Sequence, residues 1–157
     1  MSQAAPQIIA KNTEETAAFA CRAAQLLRAG DTVLLQGDIG AGKSFFARAI
    51  IQSLQDTPED VPSPTFTLVQ TYDTRSGEIW HADLYRLGDP SEAEELGLTE
   101  AFETAICLIE WPDRLASLTP DNAVTLTFET STNEDERTLT LTGGSSDLFS
   151  RLSKAMI

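Results

Sequence analysis

The sequence predicts an α/β protein: a mixed sheet with parallel strands at its core, antiparallel strands added beside them, and flanking helices. Three observations carry this expectation. Thr32–Gln36 (TVLLQ) and Ala105–Glu110 (AICLIE) are short, nearly continuous apolar runs, the pattern of strands covered on both faces. Ala123–Thr130 (AVTLTFET) and Arg137–Thr142 (RTLTLT) alternate apolar and polar residues, the pattern of strands with one wet face. Segments with helical apolar spacing lie between them. The 157 residues are enough for one domain with its own core, expected to span 1–157.

Taken in order, residues 12–28 read as a helix. Asn12 followed by Glu15 makes a capping box, and Phe19, Ala20, Ala23, Leu26 and Leu27 form an apolar stripe that Gly30 ends. After the strand at 32–36 comes a glycine-rich loop, Gly37–Gly42. A helix from Lys43 to about Leu54 follows, with Phe46, Ala49, Ile50 and Leu54 inward. Pro58–Pro64 is rich in breakers. Thr65–Tyr72 and Glu78–Leu84 read as strands joined through Asp73–Gly77, short enough for a hairpin. Ser91–Phe102 is acidic and helical, broken at Gly97. Asn133–Glu136 turns between the two alternating strands, and Asp147–Ile157 closes the chain as a helix.

Gly37-Asp38-Ile39-Gly40-Ala41-Gly42-Lys43-Ser44 matches the phosphate-loop pattern G-x-x-x-x-G-K-S/T at every position. The chemistry explains the spacing. Backbone N–H groups must curl around a phosphate, and glycine permits the dihedrals and the close approach that this needs. The helix opening at Lys43 adds unpaired N–H groups and the positive end of its dipole. Lys43 is placed to reach the β and γ phosphates, and the Ser44 hydroxyl to ligate magnesium. Average residue frequencies give a chance match in roughly one in two hundred chains of this length. The buried strand before the loop and the helix after it make the match far more specific, and the expected architecture becomes P-loop NTPase-like with ATP and Mg2+ as ligands.

Such a site needs carboxylates for the metal and its water. Glu110 emerges at the carboxyl end of an apolar strand, where ligands collect in parallel sheets. Asp83 is the other candidate, for direct ligation, for holding a water ligand, or for orienting the attacking water. It shares a strand face with Ile79 and His81, and His81 reads as structural. Ser63 and Thr65, in Pro62–Thr67, offer hydroxyls to a loop that would order on a γ-phosphate. Arg86, near Asp83, is a candidate phosphate contact or an exposed ion pair.

Composition removes other classes. With 24 acidic and 11 basic side chains the net charge is −13, which opposes autonomous binding to nucleic acid and reads either as solubility, or a cell that favours acidic proteins, or as an acidic face for a basic partner protein. Cys21 and Cys107 sit in apolar runs and are expected to be buried thiols, and with a single histidine they do not make a structural zinc site. The first residues, MSQAAPQIIAKN, lack the features of a signal peptide, and no apolar run approaches the length of a membrane span, so a cytoplasmic location is expected. None of Lys11, Lys43 and Lys154 is followed two residues on by Asp, so the guanine-reading N/T-K-x-D element is absent, as is an LSGGQ signature. A slow ATPase, a small-molecule kinase and a nucleotide-binding adaptor remain as readings of the loop alone.

GDIGAGKSFFARAI, SPTFTLVQTY, HADLYRL, ELGLTE and IEWPDR occur in that order. In this the chain resembles the bacterial TsaE family of tRNA threonylcarbamoyladenosine biosynthesis proteins, small P-loop ATPases, over residues 12 to 114 and the two strands beyond. The resemblance implies an accessory ATPase acting with a TsaB–TsaD complex. That complex transfers a threonylcarbamoyl group to the adenosine beside the anticodon of tRNAs reading ANN codons. The ATPase would bind it and use ATP binding and hydrolysis to keep it cycling. By position, Lys43 and Ser44 would contact phosphate and magnesium, Thr65 would belong to a switch-like loop, Asp83 and Glu110 would serve metal and water, and Trp111 would lie beside the site. Ser44 stands where a threonine is more usual, and either hydroxyl can serve the metal.

Overall fold

A computed structural model describes residues 5–62, 68–143 and 146–156. One seven-stranded sheet, ordered β1-β7-β6-β2-β5-β4-β3, runs through it. Its strands are β1 (Gln7–Ala10), β2 (Thr32–Gln36), β3 (Val69–Thr74), β4 (Gly77–Asp83), β5 (Ile106–Glu110), β6 (Val124–Thr130) and β7 (Arg137–Thr142). β2 lies parallel to both β5 and β6, and β4 parallel to β5. β1–β7, β6–β7 and β3–β4 are antiparallel. This is the mixed sheet expected from the two apolar runs and the two alternating ones: β5 is buried at every residue, and β6 alternates along its first five.

Helices cover the two faces. α1 (Thr13–Ala24), α2 (Lys43–Ser53) and α5 (Ser146–Ala155) pack on one side, where Phe19, Phe46, Ile50 and Leu152 meet Val33, Leu35, Leu108 and Leu126. Phe46 stands between Phe19 and Phe128, with ring centroids 5.6 and 5.4 Å away. α3 (Ser91–Glu95) and α4 (Leu98–Thr104), separated at Gly97, cover the other side with Leu115 of a 3₁₀ segment, Pro112–Leu118. The period of two in β5 assigns its residues to these layers: Ile106 and Leu108 to the first, Cys107 and Ile109 to the second. Glu110 therefore faces the α2 side, and the same alternation in β4 puts His81 and Asp83 there with Ile79.

The expected capping box at α1 is present in modified form. Asn12 Oδ1 accepts the Glu15 N–H at 2.9 Å, while Glu15 Oε1 reaches back to the Lys11 N–H at 2.9 Å. Four readings change. α1 stops at Ala24, short of Arg28, and tight backbone turns at Leu26 and Leu27 carry the chain on to Gly30. Cys21 is exposed, because helical rotation turns it and Arg22 outward while Phe19, Ala20, Ala23 and Ala24 take the core face; Cys107 is buried as expected. Of the strand expected at 65–72, residues 65–67 lie outside the described ones; the strand observed is Val69–Thr74, so the hairpin turn tightens to Arg75 and Ser76. β1 was not anticipated: four residues with no sustained alternation become a strand only by pairing with β7, Gln7 opposite Thr140. Among the described residues no helix is long and apolar enough to cross a membrane.

α5 is tied to the amino end of β2 by a nearly buried ion pair. The Arg151 guanidinium donates to both Asp31 oxygens, at 2.8 and 3.0 Å, and also to the Leu26 carbonyl. Asp31 in turn accepts the Arg28 N–H at 2.7 Å. Arg151→Met leaves the Asp31 charge buried without its counter-ion, and is expected to cost about 3–5 kcal/mol in urea unfolding. Asp31→Asn combined with Arg151→Met should recover part of that loss.

Candidate functional site

The carboxyl ends of β2, β4 and β5 lie side by side. The register pairs Leu35 with Glu110 and Asp83 with Glu110, so the loop after β2 is brought against two carboxylates that are 27 residues apart in the chain. A cavity of about 510 Å³ opens there, lined by Ile39, Gly40, Gly42, Lys43, Ser44, Asp83, Tyr85, Arg86, Glu110 and Trp111, with Phe45. Of the residues expected at the site, the structure gathers Ile39, Gly40, Gly42, Lys43, Ser44, Asp83, Glu110 and Trp111 on this wall. Gly37, Asp38 and Ala41 face a second opening behind the loop, and Thr65 lies outside the described residues.

The loop is shaped by two glycines. Gly42, at φ 105°, turns the chain into α2 in a conformation that an L side chain rarely adopts. At Gly37 the backbone passes so close to β6 that an added Cβ would stand 2.8 Å from the Phe128 carbonyl oxygen. Lys43, only 4% exposed, begins α2. Its ammonium donates to the Gly37 carbonyl and lies 3.7 Å from the centroid of the Trp111 ring. Trp111 itself takes a left-handed conformation, φ 56°, as the chain leaves β5, and its ring meets that of Tyr85 at 4.9 Å. Burial lowers the affinity of Lys43 for its proton. Glu110, Asp83, Asp38 and Asp113 act in the opposite sense, and burial prevails.

Beside it, Ser44 Oγ donates to Glu110 Oε2 at 2.8 Å, and His81 Nε2 contacts the same oxygen at 2.7 Å. His81 is 1% exposed, and its Nδ1 has no hydrogen-bond partner. The ring is thus committed on one side to fixing the Glu110 carboxylate. Sequence reasoning took His81 as structural, and the structure adds what it supports. Asp83 Oδ1 accepts the Tyr85 N–H at 3.0 Å, which holds its carboxylate at the end of β4. Arg86 is exposed on the cavity rim.

The donors suit a small hard cation. Ser44, Glu110 and Asp83 present oxygen alone. Among the described residues no group of three or more His, Cys, Asp or Glu side chains is gathered to cage a metal. The oxygen donors fit magnesium, which keeps several waters and shares ligation with phosphate, better than zinc. Tyr85 and Arg137 are the site's neighbours that sequence reasoning passed over. Tyr85 had a signal, two positions after Asp83; Arg137 had none, being nearly a hundred residues from the loop it touches.

Two outcomes follow from this geometry. Gly37→Ala is expected to lose about 1–3 kcal/mol of stability, the usual cost of overpacking, because the obstacle is backbone. Lys43 binds its proton less well folded than unfolded, so wherever it is charged it costs the fold stability; that cost fades as pH rises through the folded value towards 10.5. Lys43→Met should accordingly raise the thermal midpoint at neutral pH. An unchanged or lower midpoint by calorimetry contradicts the account of Lys43 as a strained cation.

The sequence and the fold have known counterparts. The family model for threonylcarbamoyl adenosine biosynthesis protein TsaE matches residues 10–139. The tRNA threonylcarbamoyladenosine biosynthesis protein TsaE of Rickettsia felis is 41% identical over 140 residues, covering 89% of this chain and 81% of that protein. Its namesake in Bacillus subtilis is 36% identical over 132 residues, covering 83% and 81%. The crystal structure of Bacillus subtilis YdiB superposes with a TM-score of 0.77 at 28% identity, over 99% of this chain and 97% of that one. A match that spans most of the sequence, including every residue on the wall of the cavity, places the chain in the TsaE family of threonylcarbamoyladenosine biosynthesis proteins.

Proposed function

We propose that the chain binds ATP with magnesium at the loop Gly37–Ser44, hydrolyses it slowly, and so drives the cycling of a TsaB–TsaD complex in tRNA threonylcarbamoyladenosine formation. The observation that carries this is the contact of Ser44 with Glu110, at 2.8 Å, directly beside the Lys43 ammonium. A hydroxyl and a carboxylate at the metal position, a cation at the phosphate position and a glycine loop between them are what phosphoryl transfer to water requires.

Each residue has a distinct task in this reading. The loop amides and the amino end of α2 cradle the phosphates. Lys43 moves from the Gly37 carbonyl to the β and γ phosphates, exchanging one oxygen acceptor for stronger ones. Ser44 and Glu110 hold magnesium and its waters, and His81 keeps Glu110 in place. Bound magnesium supplies charge neutralisation on the phosphates. Asp83, held at the end of β4 by the Tyr85 N–H and paired in register with Glu110, accepts a hydrogen bond from the attacking water and orients it. Trp111 closes the wall beside Lys43, and Thr65 belongs to a loop that senses the triphosphate.

The partner is supported by the mouth of the cavity. Ile39 is 77% exposed at the tip of the loop and Tyr85 44% exposed across from it, an apolar rim that a docking protein would cover. Covering it would exclude water and strengthen every charge interaction within. Turnover alone is therefore slow, and the partner accelerates it; a cation supplied in trans is typically worth about 10³–10⁵ in rate.

Lys43→Ala should abolish calorimetric binding of Mg·ATP, and phosphate release by the wild type should exceed that of this variant. Association with a TsaB–TsaD complex should depend on nucleotide. Phosphate release no faster than the variant's would leave a binding adaptor, and equal rates with and without the complex would remove the proposed stimulation.

A further inference from the structure

Arg137, at the start of β7, sits behind the phosphate loop and does not line the cavity in front of it. Its guanidinium has two sets of partners. One edge serves its own hairpin: Nη1 donates to the carbonyls of Glu134 and Glu136 at 2.7 and 2.9 Å. The other serves the loop: Nε donates to the Ala41 carbonyl at 2.9 Å and Nη2 to the Gly40 carbonyl at 3.3 Å. A Cβ built on Gly42 would stand 3.9 Å from Nε, so the loop backbone lies against the guanidinium.

With this contact, five of the six carbonyl oxygens of residues 37–42 have a named partner. The Gly37 carbonyl takes the Lys43 ammonium, Asp38 the Ala41 N–H, Gly42 the Phe46 N–H, and Gly40 and Ala41 the Arg137 fork. In a trans peptide the C=O of one residue and the N–H of the next point in opposite directions. Fixing the Ala41 oxygen backward therefore aims the Gly42 N–H forward, to the cavity side. Fixing the Gly40 oxygen backward supports the tight turn in which the Ala41 N–H is bound to Asp38 at 3.0 Å. Left unheld, the peptide between Ala41 and Gly42 is free to rotate and offer its oxygen, which repels phosphate.

We infer that Arg137 is a positioning residue for nucleotide phosphate binding, a fork on β7 that holds the loop carbonyls outward so that the Gly42 amide is presented to the phosphates. The inference rests on the ATP reading of the site for its ligand, although the orientation of the loop does not. Lysine cannot replace the fork, since a single ammonium lacks the planar donors that span two segments.

The test compares wild type, Arg137→Met, Arg137→Lys and Lys43→Ala in two measurements. Titration with Mg·ADP should show Arg137→Met weakened by roughly 10-fold to 100-fold, the loss expected for charge-assisted hydrogen bonds. Arg137→Lys should lose roughly 3-fold to 10-fold, keeping the charge without the fork. Relaxation-dispersion NMR on the ligand-free proteins should show conformational exchange at the Gly42 amide in both variants beyond that of the wild type, while the β7 amides of Thr140 and Leu141 stay protected from hydrogen exchange. A merely structural arginine predicts the reverse: loosened β7 amides, a lower thermal midpoint, and Mg·ADP affinity within about twofold of wild type. That result overturns the proposal. If Arg137→Met does not fold, Arg137→Lys decides, and wild-type affinity with wild-type Gly42 exchange refutes the fork. Wild-type protein that binds Mg·ADP no better than Lys43→Ala defeats the ATP reading instead, and Gly42 exchange still judges Arg137.

Discussion

A buried ammonium group has to be surrounded by something that replaces water, and much of this structure is arranged around that need at Lys43. A charged side chain with 4% exposure is rare unless it is paired. Here the partners come from four places: the Gly37 carbonyl within the loop, the Trp111 ring after β5, and the carboxylates of Glu110 and Asp83 at the ends of β5 and β4. They compensate incompletely. A cation held this way is poised for a better anion, and a triphosphate is such an anion.

The sheet makes that gathering possible. Because β2, β4 and β5 are parallel, their carboxyl ends fall on one edge, and the register sets Leu35, Glu110 and Asp83 in one row. Alternation along each strand then decides which residues of that edge see the loop. Glu110, His81 and Asp83 lie on the α2 side, while Ile109, Ala82 and Leu84 pack against α3, α4 and the 3₁₀ segment. A one-residue slip would put Ala82 or Leu84 in place of Asp83, and Ile109 or Trp111 in place of Glu110. The apolar cores on both faces, and the Asp31–Arg151 tie below β2, hold the register against such a slip.

Under the proposed function, the site would let an acidic chain hold phosphate. A net charge of −13 opposes an anionic ligand at long range. The local answer uses few full charges: Lys43, the amides of the loop, and the dipole of α2. Arg137 contributes through backbone orientation, with its positive charge already bound to four carbonyl oxygens. The acidic surface that remains disfavours tRNA as a direct partner and is compatible with a protein one.

What the residues determined by themselves was local. The glycine spacing of 37–42, the cation and hydroxyl that follow it, the apolar runs of β2 and β5 and the alternation of β6 and β7 depend on neighbours within a turn or a strand, and all were legible. So was Glu110, because it ends an apolar run. The tertiary structure decided the rest. Cys21 sits among alanines but off the stripe of Phe19, Ala20 and Ala23, and the packing of that stripe against the core turned it to solvent. β1 exists because β7 offers a free edge. His81 binds Glu110 only because β4 and β5 pair with one register out of several. Arg137 reaches Gly40 and Ala41 because the β6–β7 hairpin projects beyond β2. Contacts of this kind join residues far apart in the chain, and their cost in loop-closure entropy is met by the whole packed sheet, which no short stretch of sequence encodes.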